Sequence, residues 1–205
     1  VRITKDTVLK PFQDVPVEEE PECPSEVLAQ RLVSEQTTIP VPQVRRVIKS
    51  IYTTYIAVEY IPGRRLSVVW PTLSWLGRIR VAFTIRPYVQ QLRRIKHPRS
   101  SVPGPLAGPS EGGMMCQSPL FGPVVDSRGP FDTYADLAKF FNDRQALTLP
   151  RSKVKRSISL EDLTTFDDSQ ALVFCIQNLN PDSFIVGEHG RLWLVDWVYA
   201  GFYPP

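Results

Sequence analysis

The sequence predicts an α+β chain, with antiparallel strands at the front, helices through the middle and a strand, loop and hairpin at the end. Three features carry that prediction. Val1 to Ile3, Thr7 to Lys10, Val44 to Ile51 and Tyr55 to Tyr60 are short, β-branched-rich runs that read as strands. Apolar residues recur at helical spacing through 26–36 and again through 73–95. From Ala171 onward an apolar run, a polar knot and a second apolar run lead into Gly187-Glu188-His189-Gly190, a four-residue hairpin turn, and a returning strand from Arg191 to Val195.

Length and composition set the frame. A chain of 205 residues can bury a sizeable core as one large domain or two small ones. Its 42% hydrophobic and 22% charged content is that of a globular protein. The net charge of +3 is too small to indicate nucleic acid. Twenty prolines are about twice the usual share and predict a loop-rich chain. Cys23, Cys116 and Cys175 are odd in number and far apart, which argues against a disulfide framework and against zinc. No apolar run is long enough for a membrane span, and no charged-then-apolar signal opens the chain. An intracellular, cytoplasmic setting is therefore expected.

The elements follow in order. The first two strands flank a Lys5-Asp6 turn, and Lys10 ends the second. Pro11 to Pro24 is acidic and proline-rich and reads as a solvated connector. Ser25 reads as a helix N-cap, and the helix to Gln36 sets Leu28, Ala29, Leu32 and Val33 on one face. Val44–Ile51 and Tyr55–Tyr60 pair antiparallel. From Leu73 to Ile95, Leu76, Ile79, Phe83, Tyr88, Leu92 and Ile95 form an apolar pattern that Pro87 should kink or split. Its arginines read as a solvated face, or as a patch for an acidic partner. Pro98 to Pro130 is a long Gly, Pro and Ser-rich loop. Asp132 to Leu137 opens a helix through Phe140, Phe141 and Leu147. Arg151 to Arg156 is a basic connector, and Ser159 caps a short helix. Cys175 lies in the final apolar run and reads as inert core.

The closing stretch also carries a resemblance. Cys175-Ile176-Gln177-Asn178-Leu179-Asn180-Pro181-Asp182-Ser183-Phe184-Ile185-Val186, then Val195-Asp196-Trp197, is similar to the catalytic segment of the aminoglycoside phosphotransferase and choline kinase-like family, in its fungal branch. Thr38-Ile39-Pro40-Val41-Pro42-Gln43-Val44 resembles that family's strand entry, and Glu59-Tyr60-Ile61-Pro62-Gly63-Arg64-Arg65-Leu66 its hinge. The resemblance implies a protein kinase-like fold with two lobes. A small antiparallel-sheet lobe with one helix would span 1–62. A mainly helical lobe with the long loop 98–130 and the catalytic-loop hairpin 171–197 would span 63–205. It also implies that the family's first strand would precede Val1 and its last helices would follow Pro205. Core around Trp193, Trp197 and Phe202 would then be exposed and form an interface.

The site follows from the resemblance residue by residue. Lys10 matches the strand Lys that contacts nucleotide phosphates, and Glu26 the Glu that pairs with it. The hinge at Glu59 and Ile61 matches the backbone that holds adenine. Asp196 matches a metal-binding Asp, and a lone carboxylate after a buried strand is itself a common ligand position. Asn178 stands where the family has its catalytic Asp, and Ser183 where it has a metal-binding Asn. ATP and Mg²⁺ are the implied cofactors. An amide cannot take up a proton at working pH, and a positioned acid–base group contributes roughly 100- to 10,000-fold in rate. The expectation is thus a degenerate, kinase-like binding or structural module with little phosphoryl transfer. An active small-molecule phosphotransferase and a subunit of a larger assembly, its edges covered by a protein partner, are the alternatives.

Overall fold

The computed structural model describes residues 1–12, 23–51, 53–108, 111–124, 127–148 and 165–205. Most of the acidic connector, the basic connector and Ser159 lie outside the described residues.

The front of the chain forms a four-stranded antiparallel sheet. Strands β1 (Arg2–Thr4), β2 (Thr7–Phe12), β3 (Val44–Lys49) and β4 (Thr54–Glu59) lie in the order β1-β2-β4-β3. Lys10 sits in β2 directly opposite Ile56 of β4. Between β2 and β3 runs helix α1 (Ser25–Gln36). Val27 packs with Phe12 and Ile56 under the sheet. Ala29, Leu32 and Val33 instead join the main core. One helix therefore glues the sheet to the rest of the molecule.

The N-cap of α1 differs from the sequence expectation. Pro24, not Ser25, holds that place, and its carbonyl accepts from the N–H groups of Val27 and Leu28 at 2.9 and 3.2 Å. Proline already has the fixed φ that suits a helix entrance, so the helix starts one residue earlier and Ser25 is buried inside it.

The remainder of the chain carries β5 (Arg64–Arg65), the one-turn α2 (Leu66–Val69), α3 (Trp75–Leu92), β6 (Gly104–Pro105), α4 (Tyr134–Thr148), β7 (Val173–Ile176), β8 (Phe184–Val186), β9 (Leu192–Leu194) and β10 (Ala200–Tyr203). They build two three-stranded sheets, β6-β10-β7 and β5-β8-β9. The hairpin read around Gly187 is present, with β8 and β9 antiparallel and the Gly187 N–H donating to the Arg191 carbonyl at 2.9 Å. Two glycines allow close strand approach: a Cβ on Gly63 would strike the Val186 carbonyl, and one on Gly201 the Gly104 carbonyl.

Three other expectations are corrected. Trp197 and Phe202 are each 1% exposed rather than an open face, because β10 runs between β6 and β7 and folds them inward; Trp193 is half-buried. Pro87 does not split α3. It deprives only the Phe83 carbonyl of its helical donor, and both residues are exposed, so water can replace the missing bond. Finally, the apolar pattern of α3 serves two faces. Val81, Ile85 and Tyr88 pack on the core and Leu92 is buried in it, whereas Leu76, Ile79 and Phe83 point outward.

The long loop is pinned rather than free. The Arg99 guanidinium donates to the carbonyls of Gly108, Glu111 and Gly112 at 3.1, 2.6 and 2.8 Å. Phe121 sits with its ring 5.6–6.1 Å from those of Phe131, Phe140, Phe141 and Tyr203. Helix α4 starts on a reciprocal pair in which the Thr133 N–H donates to the Asp136 carboxylate and the Asp136 N–H to the Thr133 hydroxyl. Burial pushes the Cys116 thiol up to about 12 and that of Cys175 to about 11. Thiols shifted this way stay protonated at neutral pH; Cys116 is buried and Cys175 is partly buried against the same aromatic cluster.

Candidate functional site

Three side chains far apart in sequence meet between the four-stranded sheet and the end of β9. Lys10 Nζ lies 2.7 Å from Glu26 Oε1 and 3.5 Å from Asp196 Oδ1. Each arrives for a local reason. Lys10 is carried by β2 at the middle of the sheet. Glu26 stands in the first turn of α1, where the helix dipole favours a carboxylate. Asp196 follows β9, whose end is fixed by the Val195 N–H donating to the Ser183 carbonyl at 2.8 Å.

The geometry of Asp196 is unusual. Its φ of 67° lies in the left-handed region, which costs an L-residue roughly 1–2 kcal/mol and is best tolerated by Gly, Asn and Asp. The chain turns there and leaves the carboxylate beside Lys10 instead of continuing the strand.

The charges do not cancel. One ammonium faces two carboxylates, leaving a formal −1. The Glu26 side chain is 6% exposed, and its Oε2 has no hydrogen-bond partner among the described residues. Lys10 and Asp196 are 38% and 40% exposed, so the triad opens to solvent on their side. A buried carboxylate held by one half-exposed Lys is therefore the tightest electrostatic feature of the site.

The loop between β7 and β8 is closed upon itself. Ser183 is buried, and its hydroxyl donates to the Asn178 carbonyl at 2.6 Å. The Asn180 amide donates to Asn178 Oδ1 at 2.8 Å, and the Asp182 N–H to Asn180 Oδ1 at 2.7 Å. Outside the loop, Asp182 accepts from the Ser67 hydroxyl, and its carbonyl accepts from Arg65 at 2.6 Å. Sequence reasoning passed over Asn180 and Asp182. Their signal was present: Asn-Pro-Asp-Ser is a cap residue, a proline at the first turn position and a Ser placed to complete a capping box.

Glu59 and Ile61 make different contacts. The Glu59 carboxylate accepts from the Gln43 N–H at 3.1 Å, and its own N–H donates to the Gln43 carbonyl at 2.9 Å. The Ile61 side chain is buried.

Among the described residues, no group of three or more His, Cys, Asp or Glu is arranged to hold a metal ion. No described helix is long and apolar enough to cross a membrane. No family model and no curated protein matches this chain.

Proposed function

We propose that this chain is a kinase-like binding module that holds a nucleotide or a related phosphate compound through Lys10 and transfers its phosphoryl group little or not at all. The observation that carries this reading is the convergence of Lys10, Glu26 and Asp196 within 3.5 Å contacts. A Lys paired to a helix Glu and set beside a strand-end Asp is an arrangement that suits phosphate oxygens. Further support comes from the sheet order and the single helix between β2 and β3, which are compatible with the smaller lobe of a kinase-like fold.

The loop argues against transfer. Asn178 offers an amide whose oxygen already accepts from Asn180. A base that takes the proton of an attacking hydroxyl is absent from that position. Magnesium takes one or two carboxylates plus substrate phosphates, and here it would have the lower number. Asp196 is the one carboxylate that the resemblance leaves for it, and the Ser183 hydroxyl is buried and engaged with Asn178. Phosphate oxygens would approach Lys10 on its open side and replace the longer contact, that with Asp196.

That geometry gives a test with a definite sign. Asp196→Asn keeps the left-handed turn and removes one negative charge beside the phosphates. At half-exposed positions such a charge is worth on the order of 1 kcal/mol, or about fivefold in affinity. A fluorescent ATP analogue titrated in EDTA should therefore bind Asp196→Asn about fivefold more tightly than the parent chain, and Lys10→Ala more weakly. Binding that strictly requires Mg²⁺ and is lost in Asp196→Asn would contradict the proposal and favour an active phosphotransferase.

A further inference from the structure

Helix α3 has a second apolar face that none of the described residues covers. Trp75, Leu76, Ile79 and Phe83 are between 37% and 69% exposed. At 3.6 residues per turn they fall within a band of about 100°, opposite the band of Val81, Ile85, Tyr88 and Leu92 that packs on the core. Scattered surface hydrophobics are ordinary, but four large ones in a single stripe are not.

The charges beside the stripe say what would sit on it. Helix α3 holds no Asp or Glu. The same outward band continues past Phe83 with exposed Arg86, and exposed Arg93 and Arg94 close it just past the last turn. Among the described residues none of these arginines forms a salt bridge with a carboxylate. The band is thus apolar along its first half and basic along its second. A lipid surface would meet both halves at one depth, whereas a helix laid along α3 can match them in sequence.

We propose that the outward face of α3 docks an amphipathic helix of a protein partner, with apolar anchors along one half of its contact stripe and carboxylates along the other. The Lys10 site takes no part in this, so failure here leaves the proposed function standing and the reverse also holds.

The test uses the full chain and two labelled 18-residue helical peptides, read by fluorescence anisotropy. Both carry Leu and Phe anchors in one half. One carries Glu along the same stripe in the other half, and its control carries Lys there. The Glu peptide should bind at least about tenfold more tightly than the Lys peptide, and raised salt should narrow the gap. Phe83→Asp should abolish binding of both. Arg86→Glu with Arg93→Glu should reverse the preference, so that the Lys peptide binds better. All three positions are exposed, and an unchanged far-UV circular dichroism spectrum verifies the fold of each variant. Equal binding of the two peptides, binding of neither, or no reversal would overturn the proposal. So would preferential binding to phosphatidylserine vesicles, which would assign the face to a membrane, or a dimer in sedimentation that Phe83→Asp dissolves, which would assign it to a second copy.

Discussion

Lys10→Met isolates the electrostatics of the candidate site. Methionine is one atom shorter but keeps an unbranched apolar stem, so packing along β2 should change little. What changes is Glu26. Its side chain is nearly buried, one carboxylate oxygen lacks a partner among the described residues, and the other has Lys10. Breaking a fully buried ion pair costs about 3–5 kcal/mol, but Lys10 is 38% exposed, so water can reach part of the site. Leaving a buried group unsatisfied costs about 1–3 kcal/mol, which is the better guide here. With a urea slope near 2 kcal/mol/M, about 2 kcal/mol moves the unfolding midpoint down by about 1 M. Tryptophan fluorescence follows the transition, since Trp197 is buried. A double-mutant cycle makes the cause explicit. Adding Glu26→Gln removes the stranded charge and should recover at least half of the loss. A midpoint shift below about 0.2 M for Lys10→Met, or a double variant that is no more stable, would refute the reasoning.

Other tests follow from individual contacts. Asn178→Asp should leave the unfolding midpoint nearly unchanged, because a carboxylate still accepts from the Asn180 amide, whereas Ser183→Asn forces a larger side chain into a buried position and should cost about 1–3 kcal/mol. Burial, with Arg99 nearby, holds the pKa of His97 below its ordinary 6.5. The unfolded chain therefore binds that proton first, so stability contributed by neutral His97 is present above pH 6.5 and is lost as pH falls from there through the folded value. His97→Phe, which keeps a ring against Phe202, should flatten urea midpoints measured between pH 7.5 and 5.5. Cys116 and Cys175 should resist iodoacetamide at pH 8 in the native chain and react readily in urea, with the modified sites read by peptide mass spectrometry.

The parts of the fold that sequence made legible are those set by short-range rules. The Lys5-Asp6 turn, the pairing of β3 with β4 and the hairpin at Gly187 each follow from β-branched runs bounded by turn residues. Helix α1 was visible in its apolar spacing, yet its first residue was not, because Pro24 caps through its backbone and Ser25 needs no capping role. Periodicity was less informative at α3, where the apolar pattern runs together residues of two opposite faces. Angular position, rather than apolar count, separates Phe83 from Tyr88. The inward turn of Trp197 and Phe202 depends on β10 entering between β6 and β7, and its pairing with β6, almost a hundred residues away, is announced by no local pattern. Within the site, Lys10, Glu26 and Asp196 were named by resemblance and stand together in space. The left-handed turn at Asp196 and the closed hydrogen bonding of Asn178, Asn180 and Ser183 are tertiary outcomes that residue identity alone does not reveal.

The most direct test is a single turnover measurement. The purified chain is incubated with γ-labelled ATP, Mg²⁺ and a panel of small alcohols and aminoglycosides, and released or transferred phosphate is counted. With an amide at Asn178 and a buried, engaged hydroxyl at Ser183, the expected count is that of buffer alone. Phosphate transferred at about 1–100 per second, the range of working kinases, would contradict the claim that this site binds without reacting.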